Sequence, residues 1–427
     1  MSTAWLLSGA HRVTVYEQAD RLGGHSHTVE VPGPDGPVAV DTGFIVYNES
    51  TYPNLTALFH HLDVPTKPSE MSFAVSLRDG TLEYSGTNLR GLFAQRRNLV
   101  RPRFWCMLRD LLRFYREAPH EVATMGDSTL SLRAWLDARG YGDAFIEDHL
   151  LPMAAAIWCT PTAAVGDQSA ATFIRFCQNH GLLQVSNRPT WRTVVGGSRS
   201  YVARLTAPFV PDVRLGCGVR AIRRFPGGVQ VADSYGQQAR FDHVVLATHP
   251  DQALALLFDR SDAEAASLGT FRYSSNTAVL HTDTSLMPRR RAVWSSWNYL
   301  GDAAANGPSV TYWMNRLQNL RTPRPLFVSL NPSRPPDPAA VLRTELYAHP
   351  QLDTSAANAQ KNLWSLQGVR NTWFCGAWFG AGFHEDGLQS GLAVAEQLGG
   401  VRRPWQVPNE SGRIHVTDPA PLMEAVA

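Results

Sequence analysis

The spacing of hydrophobic positions changes several times along the chain, and each change marks an element. Ser2 to Leu7 has helical character. Val13, Val15 and Tyr16 make a short β-like run that ends on an acid, Glu17, and passes into a turn holding Gly23 and Gly24. Val29 to Val40 reads as a hairpin around PGPDGP. Phe73 to Ser85 reads as a second hairpin around Asp79-Gly80, since Asp-Gly supplies the positive φ that tight hairpin turns need. Tyr52 to Leu62 has helical spacing. From Leu89 to about Ala156 the period is mostly helical, with Phe104, Leu108, Leu111, Leu112 and Tyr115 on one face.

Further on, Trp191 to Val195 predicts a strand that leads through Gly196-Gly197 into a helix over Tyr201 to Leu205. Val219 to Val231 alternates as a hairpin, and Phe241 to Thr248 has the near-continuous apolar character of a buried parallel strand. Between about 251 and 365 helices alternate with strands at Thr277–Leu280, Val310–Met314 and Leu326–Leu330, with loops over 316–324 and 331–338. Thr372 to Cys375 reads as a strand, followed by a glycine-rich turn and a helix from about Gly387 to Leu398. The tail after Val401, with prolines at 404, 408, 419 and 421, reads as extended or loosely held.

A chain of 427 residues with 44% hydrophobic and 18% charged residues is a globular protein with two or three cores. A net charge of +2 and the lack of a basic repeat argue against nucleic acid as a partner. The five cysteines (106, 159, 177, 217, 375) are scattered, which fits a reducing cytoplasm and neither a disulfide framework nor a zinc site. His25 and His27 lack nearby acids or cysteines, so no metal site is expected. The serines of Gly196-Gly197-Ser198 and Gly387-Leu388-Gln389-Ser390-Gly391 miss the spacing of a nucleophile elbow, which disfavours a serine hydrolase.

Two stretches carry candidate chemistry. A strand that ends on a carboxylate, here Glu17, is the arrangement that accepts hydrogen bonds from the ribose of a dinucleotide. At the other end, a strand and glycine-rich turn before a helix direct that helix's N–H groups and positive dipole end at whatever fills the turn.

Arg21-Leu22-Gly23-Gly24-His25 resembles the R-x-G-G-R/H segment of the FAD-dependent amine oxidase and phytoene desaturase-like flavoproteins, and Asp41-Thr42-Gly43-Phe44 resembles the segment that follows it. The runs RLGGHSHT and GFHEDGLQSG look most like a bacterial branch described as FAD/NAD-binding proteins. The resemblance implies an α/β fold: a Rossmann-like FAD-binding domain from residues 1–70, 186–250 and 366–400, and an α+β substrate domain from 71–185 and 251–365. It implies FAD contacts from Glu17, Arg21, Gly23, Gly24, His25, Thr42, Gly43 and Phe44. It also implies a backbone group at Val219 reaching the adenine, and Ala247 near the pyrophosphate. Gly376, Trp378, Asp386, Gly387, Leu388 and Gln389 would lie by the pyrimidine side of the flavin, with His384 and Glu385 as candidate catalytic polar groups over it.

That family opens with a strand and a G-x-G-x-x-G turn, whereas this chain opens on what resembles the following helix. The expectation is therefore that the first strand and phosphate loop lie ahead of Met1 in a longer natural protein, and that this form grips FAD poorly.

The resemblance implies an FAD-dependent oxidoreductase moving hydride at carbon. A lipid, fatty-acyl or isoprenoid-like substrate is expected ahead of an amine, because Lys67 and Lys361 are the only lysines and a flavin-adjacent lysine cannot be assumed. The rival from another class is a non-catalytic remnant of the fold. The helix around Phe104 to Tyr115 is flanked by Arg90, Arg96, Arg97, Arg101, Arg103, Arg109, Arg113 and Arg116. A basic amphipathic helix can lie on anionic lipid. The commoner arrangement packs the apolar face on the core and leaves the arginines in water. Peripheral contact with the inner face of a membrane is carried forward as an expectation, since no run is long enough to span one.

Overall fold

A seven-stranded sheet and a set of short parallel strands divide the molecule between two halves. The computed structural model describes residues 1–126, 130–158, 165–185, 188–301 and 309–417. In spatial order the large sheet runs Val341–Gln351, Arg272–His281, Phe327–Leu330, Ser309–Trp313, Trp297–Gly301, Phe73–Leu77 and Leu82–Ser85. Every neighbouring pair is antiparallel except Trp297–Gly301 with Phe73–Leu77.

A helical lobe built on Pro102–Met125, Leu132–Ala138 and Ala170–Asn179 packs with this sheet. Phe104, Met107, Phe114, Trp135 and Phe173 share one core with Val75, Tyr299 and Val328. Residues 143–158 are helical too, with a π-helical turn over Ile146–Leu150.

The other half holds two separate parallel pairs, Val15–Tyr16 with Val213–Arg214 and Val244–Leu246 with Thr372–Phe374. A three-stranded meander (Val219–Phe225, Gly228–Asp233, Gln238–Phe241) adjoins them. Ile222, Leu246, Phe374 and Val394 form its core. A third cluster joins the helices Pro53–His61, Arg199–Thr206 and His384–Gly399 through Leu55, Phe59, Tyr201 and Leu392.

Several elements depart from the expectations. The strand Arg272–His281 is longer than the sequence pattern indicated, and the strand Val341–Gln351 falls where none was expected. It carries Pro350, which a sheet tolerates only where the missing N–H faces away from a ladder, and here it is an edge strand. A helical turn, Met314–Leu317, opens the expected 316–324 loop. On Pro102–Met125 the buried face is Phe104, Met107, Phe114, Ala118 and Val122, whereas Leu112 points to solvent at 56% exposure.

Ala253, Leu268 and Ala356 pack in one cluster with the parallel strands. The hairpin residues Val31 and Val40 join the sheet-and-lobe core. The tail is not loosely held over its described part. Arg403 is 2% exposed and bonds to Glu396 and Asn54, and Arg413 pairs with Asp386. The expected prolines at 419 and 421, and Cys159, fall outside the described residues.

Candidate functional site

The strand Thr372–Phe374 runs through Gly376 to the last helix, where Gly376 N donates to Ser390 Oγ at 3.0 Å. Glu17 N donates to Arg214 O at 3.0 Å and Cys217 N to Glu17 O at 2.9 Å, so Val219 follows directly beside the strand that ends on Glu17. The Glu17 carboxylate is half-buried and accepts only from Ala19 N, at 2.9 Å, among the described residues. In the next turn Arg21 Nη1 donates to Gly24 O at 2.9 Å, and Gly24 has φ 56° with open space where a side chain would stand. On the neighbouring pair, Cys375 N donates to Leu246 O, which sets Ala247 next to Gly376.

The segments 25–28 and 41–44 are locked together. Phe44 N donates to His25 O at 2.8 Å, and a Cβ at Gly43 would overlap that same carbonyl, so only glycine allows this approach. Thr42 Oγ1 bonds to the Tyr347 hydroxyl at 2.7 Å. Phe44 stacks on His384 with ring centroids 4.0 Å apart, and Tyr201 OH lies 2.5 Å from both His384 Nε2 and Ser26 Oγ. A continuous Ser26–Tyr201–His384 chain results.

Most of the other side chains predicted for this helix face inward. Glu385 is fully buried: Oε1 accepts from Asn54 N, Asn54 Nδ2 and Gln389 Nε2, and Oε2 from Leu55 N. It ties the last helix to the helix Pro53–His61 and has no acceptor turned to the cleft, which is where the structure differs from a catalytic placement. Asp386 caps its own helix through Phe383 N at 2.7 Å and pairs with Arg413. Burial raises both carboxyls. Leu388 packs in a core and Gln389 accepts from Arg413 N. Trp378 is 2% exposed, and its indole N–H holds Thr248 O at 3.2 Å, so it supports the cleft from beneath. Gly387 is half-buried against Ala377.

Sequence reasoning missed the opposite wall. His349 lies 5.3 Å from His25 between ring centroids and Tyr347 lies 4.8 Å from it, both on the edge strand Val341–Gln351. His249 stacks on Tyr273 at 4.0 Å. His249-Pro250 and His349-Pro350 are the only trace of this pair in the sequence, and an X-Pro step reads merely as a turn or extended segment. Burial keeps all of these imidazoles neutral. His25 is lowered to about 3, with the neighbouring His349 adding to the effect. His349 and His384 fall to about 4, and His249 is lowered as well.

The donor set fits FAD. Glu17 has open acceptor capacity for ribose hydroxyls, Arg21 and the uncovered backbone at Gly24 can meet a phosphate, and a helix start beside Gly376 and Gly387 suits a flat, partly polar ring. No group of His, Cys, Asp and Glu among the described residues has the geometry to hold a metal. No helix among them is long and apolar enough to cross a membrane.

Comparison with known proteins agrees with this geometry. The model of the "Flavin containing amine oxidoreductase" family matches residues 1–346. A "Putative flavin-containing monoamine oxidase AofH" of Mycobacterium tuberculosis is 28% identical over 258 residues, covering 58% of this chain and 54% of that protein. The match thus spans about half the length of that relative. Among solved structures, a putative protoporphyrinogen oxidase from Exiguobacterium sp. superposes with a TM-score of 0.65 at 14% identity, over 93% of this chain and 96% of the other. A CLA-producing fatty acid isomerase from P. acnes gives 0.63 at 14% identity, over 93% and 95%. Wild-type putrescine oxidase bound to putrescine gives 0.60 at 16% identity, over 93% and 95%. These likenesses establish the shared fold, and the family match establishes FAD as the implied cofactor: the chain belongs to the flavin-containing amine oxidoreductase family.

Proposed function

We propose that this chain is an FAD-dependent oxidoreductase that moves hydride between the flavin and a carbon atom of an uncharged substrate. An acyl or isoprenoid-like lipid is favoured over an amine. The observation that carries the reading is the cleft wall of neutral histidines and tyrosines. An ammonium ion taken into a half-buried site is held best by a carboxylate, and Glu385 and Asp386 are committed to the protein's own donors. Lys67 is tied to Asn319 O at 3.1 Å, and Lys361 is exposed.

When bound, FAD supplies the two-electron acceptor or donor. In this reading Glu17, Arg21 and the backbone at Gly24, Val219 and Ala247 hold its adenosine and phosphate portions. Gly376, Gly387 and the positive end of the last helix face its ring. His384, held flat by Phe44 and bonded at Nε2 by Tyr201, orients polar groups in the cleft. An imidazole with a pKa of about 4 is a weak base at neutral pH, so orientation rather than proton abstraction is its role. A lipid substrate also implies peripheral contact with a membrane surface.

The amine reading is favoured by one observation, the names of the family and of the M. tuberculosis relative. Anaerobic mixing of FAD-loaded protein with candidate substrates separates the two. Loss of flavin absorbance with unsaturated acyl or isoprenoid compounds and none with mono- or diamines supports the lipid reading. The reverse pattern establishes an amine oxidase, and no bleaching with either class leaves the non-catalytic alternative.

A further inference from the structure

The arginines flanking the long helix fall into two groups. Arg103 pairs with Asp148 and Glu147, Arg109 with Asp110, and Arg113 and Arg116 with Glu117. By contrast, Arg90, Arg96, Arg97 and Arg101 have no ion-pair partner among the described residues. They sit in the segment 88–105, ahead of and at the start of the helix. That segment also turns large apolar side chains to solvent: Val100 is 81% exposed, Leu89 75%, Leu99 51% and Trp105 48%.

Local structure fixes this display. The helical turn Leu89–Leu92 is capped by Asn88, whose Oδ1 accepts from Gly91 N at 2.8 Å. A 3-10 turn over Arg96–Val100 follows, and Asn98 beneath it is fully buried, with Nδ2 donating to Glu83 O. Trp105 Nε1 donates to Leu99 O at 2.9 Å, and the Trp105 ring lies 5.7 Å from Phe93. The prongs are thus held outward by a buried footing. Burial first, and then the charges of Arg97, Arg78 and Arg290, lower the pKa of Arg101 against the opposing charge of Asp148. Beside Leu89 opens a polar cavity of about 370 Å³ lined by Arg90, Arg291 and Arg316, with Glu70 and Trp294 on its wall.

We propose that this corner, with Leu89, Leu99, Val100 and Trp105 set among Arg90, Arg96, Arg97 and Arg101, docks on the surface of an anionic lipid bilayer. Apolar prongs enter the headgroup boundary while unpaired guanidinium groups meet lipid phosphates, the two signals that peripheral attachment requires. The proposal gives a place to the membrane contact of the lipid-substrate reading. It needs neither flavin nor turnover to be measured, so either can fail alone.

The test is sedimentation of the full chain with vesicles of phosphatidylglycerol in phosphatidylcholine, against phosphatidylcholine alone. Binding should require phosphatidylglycerol and fade toward molar salt, where the Debye length is only about 3 Å. The double variant R96Q/R97Q should bind more weakly by about five-fold per arginine. L99S/V100S should lose at least about ten-fold with its charges intact, since two exposed apolar side chains are removed. Both pairs are solvent-facing, so melting by circular dichroism should stay at the wild-type value. R109Q/R116Q, outside the corner, should bind as wild type. Equal binding to both vesicle types overturns the proposal, as does wild-type binding by both corner variants. If L99S/V100S instead breaks a self-associated form seen by sedimentation equilibrium while vesicle binding is unchanged, the corner is a contact between copies and the proposal also falls.

Discussion

Glu17 and Glu385 are both acids predicted to face the cofactor, one closing a strand and one opening a helix, and the fold treats them in opposite ways. Glu17 receives a single backbone N–H and is left half-exposed with acceptor capacity to spare. Glu385 receives four donors from Asn54, Leu55 and Gln389 and is sealed from solvent. An acid left short of partners at a strand end is available to a ligand, whereas an acid saturated by its own chain is architecture. An acid's place in a cofactor-like segment does not by itself give it a cofactor role.

The largest expected effect tests that division. Glu385→Ala strands four buried donors at the junction of two helices and should cost about 3–5 kcal/mol in urea unfolding. Glu17→Ala should leave stability within about 0.5 kcal/mol, as an exposed substitution does. A Glu385→Ala protein as stable as its parent would erase the contrast.

A second expectation compares histidines of the lobe with those of the cleft. His149 lies under the lobe, its Nδ1 bonded to Tyr84 OH, and burial lowers its pKa from 6.5 to about 4. The folded value lies below the unfolded one, so the unfolded chain binds more protons as pH falls from 6.5. Its stabilising contribution is whole above pH 6.5 and lost on the way to about pH 4, by about 3 kcal/mol. His149→Phe should flatten the stability curve in that window, as read by denaturant unfolding at stepped pH. Burial lowers His384 to about 4 as well, so His384→Phe should flatten the same window to a comparable extent. If one variant flattens the curve and the other does not, burial does not act alike on the two histidines.

A smaller effect is expected from Tyr201→Phe, which breaks the Ser26–Tyr201–His384 chain and keeps the ring packing. The loss should be about 1 kcal/mol. The His384 imidazole signals in NMR should broaden or shift as the ring loses its anchor, and unchanged signals would mean the hydroxyl does not hold it.

How much of this was legible in the sequence follows from how local each signal is. The strand end at Glu17, the glycine turns and the last helix were legible because short-range spacing fixes them. The edge strand Val341–Gln351 was not, since its charges and Pro350 resemble a loop, and only pairing with Arg272–His281 makes it a strand. The histidine wall was hidden for the same reason: His25, His249 and His349 are brought together by tertiary packing from three distant segments. Trp378 and Asp386 were legible as members of the site segment but not in their orientation, which depends on Thr248 and Arg413 far along the chain.

The central claim is that this cleft holds FAD through the open acid at its strand end. The direct measurement is an equilibrium titration of the purified chain with FAD, followed by flavin absorbance near 450 nm, roughly where oxidised flavin absorbs, with Glu17→Ala in parallel. The account predicts saturable binding with an altered flavin spectrum in the parent. It predicts the same bound spectrum at weaker affinity in the variant, by about 1.5–3 kcal/mol for each hydrogen bond lost to the charged acceptor, before water compensates. FAD that binds the variant as tightly as the parent, or that leaves the parent's spectrum unchanged at every concentration, would contradict it.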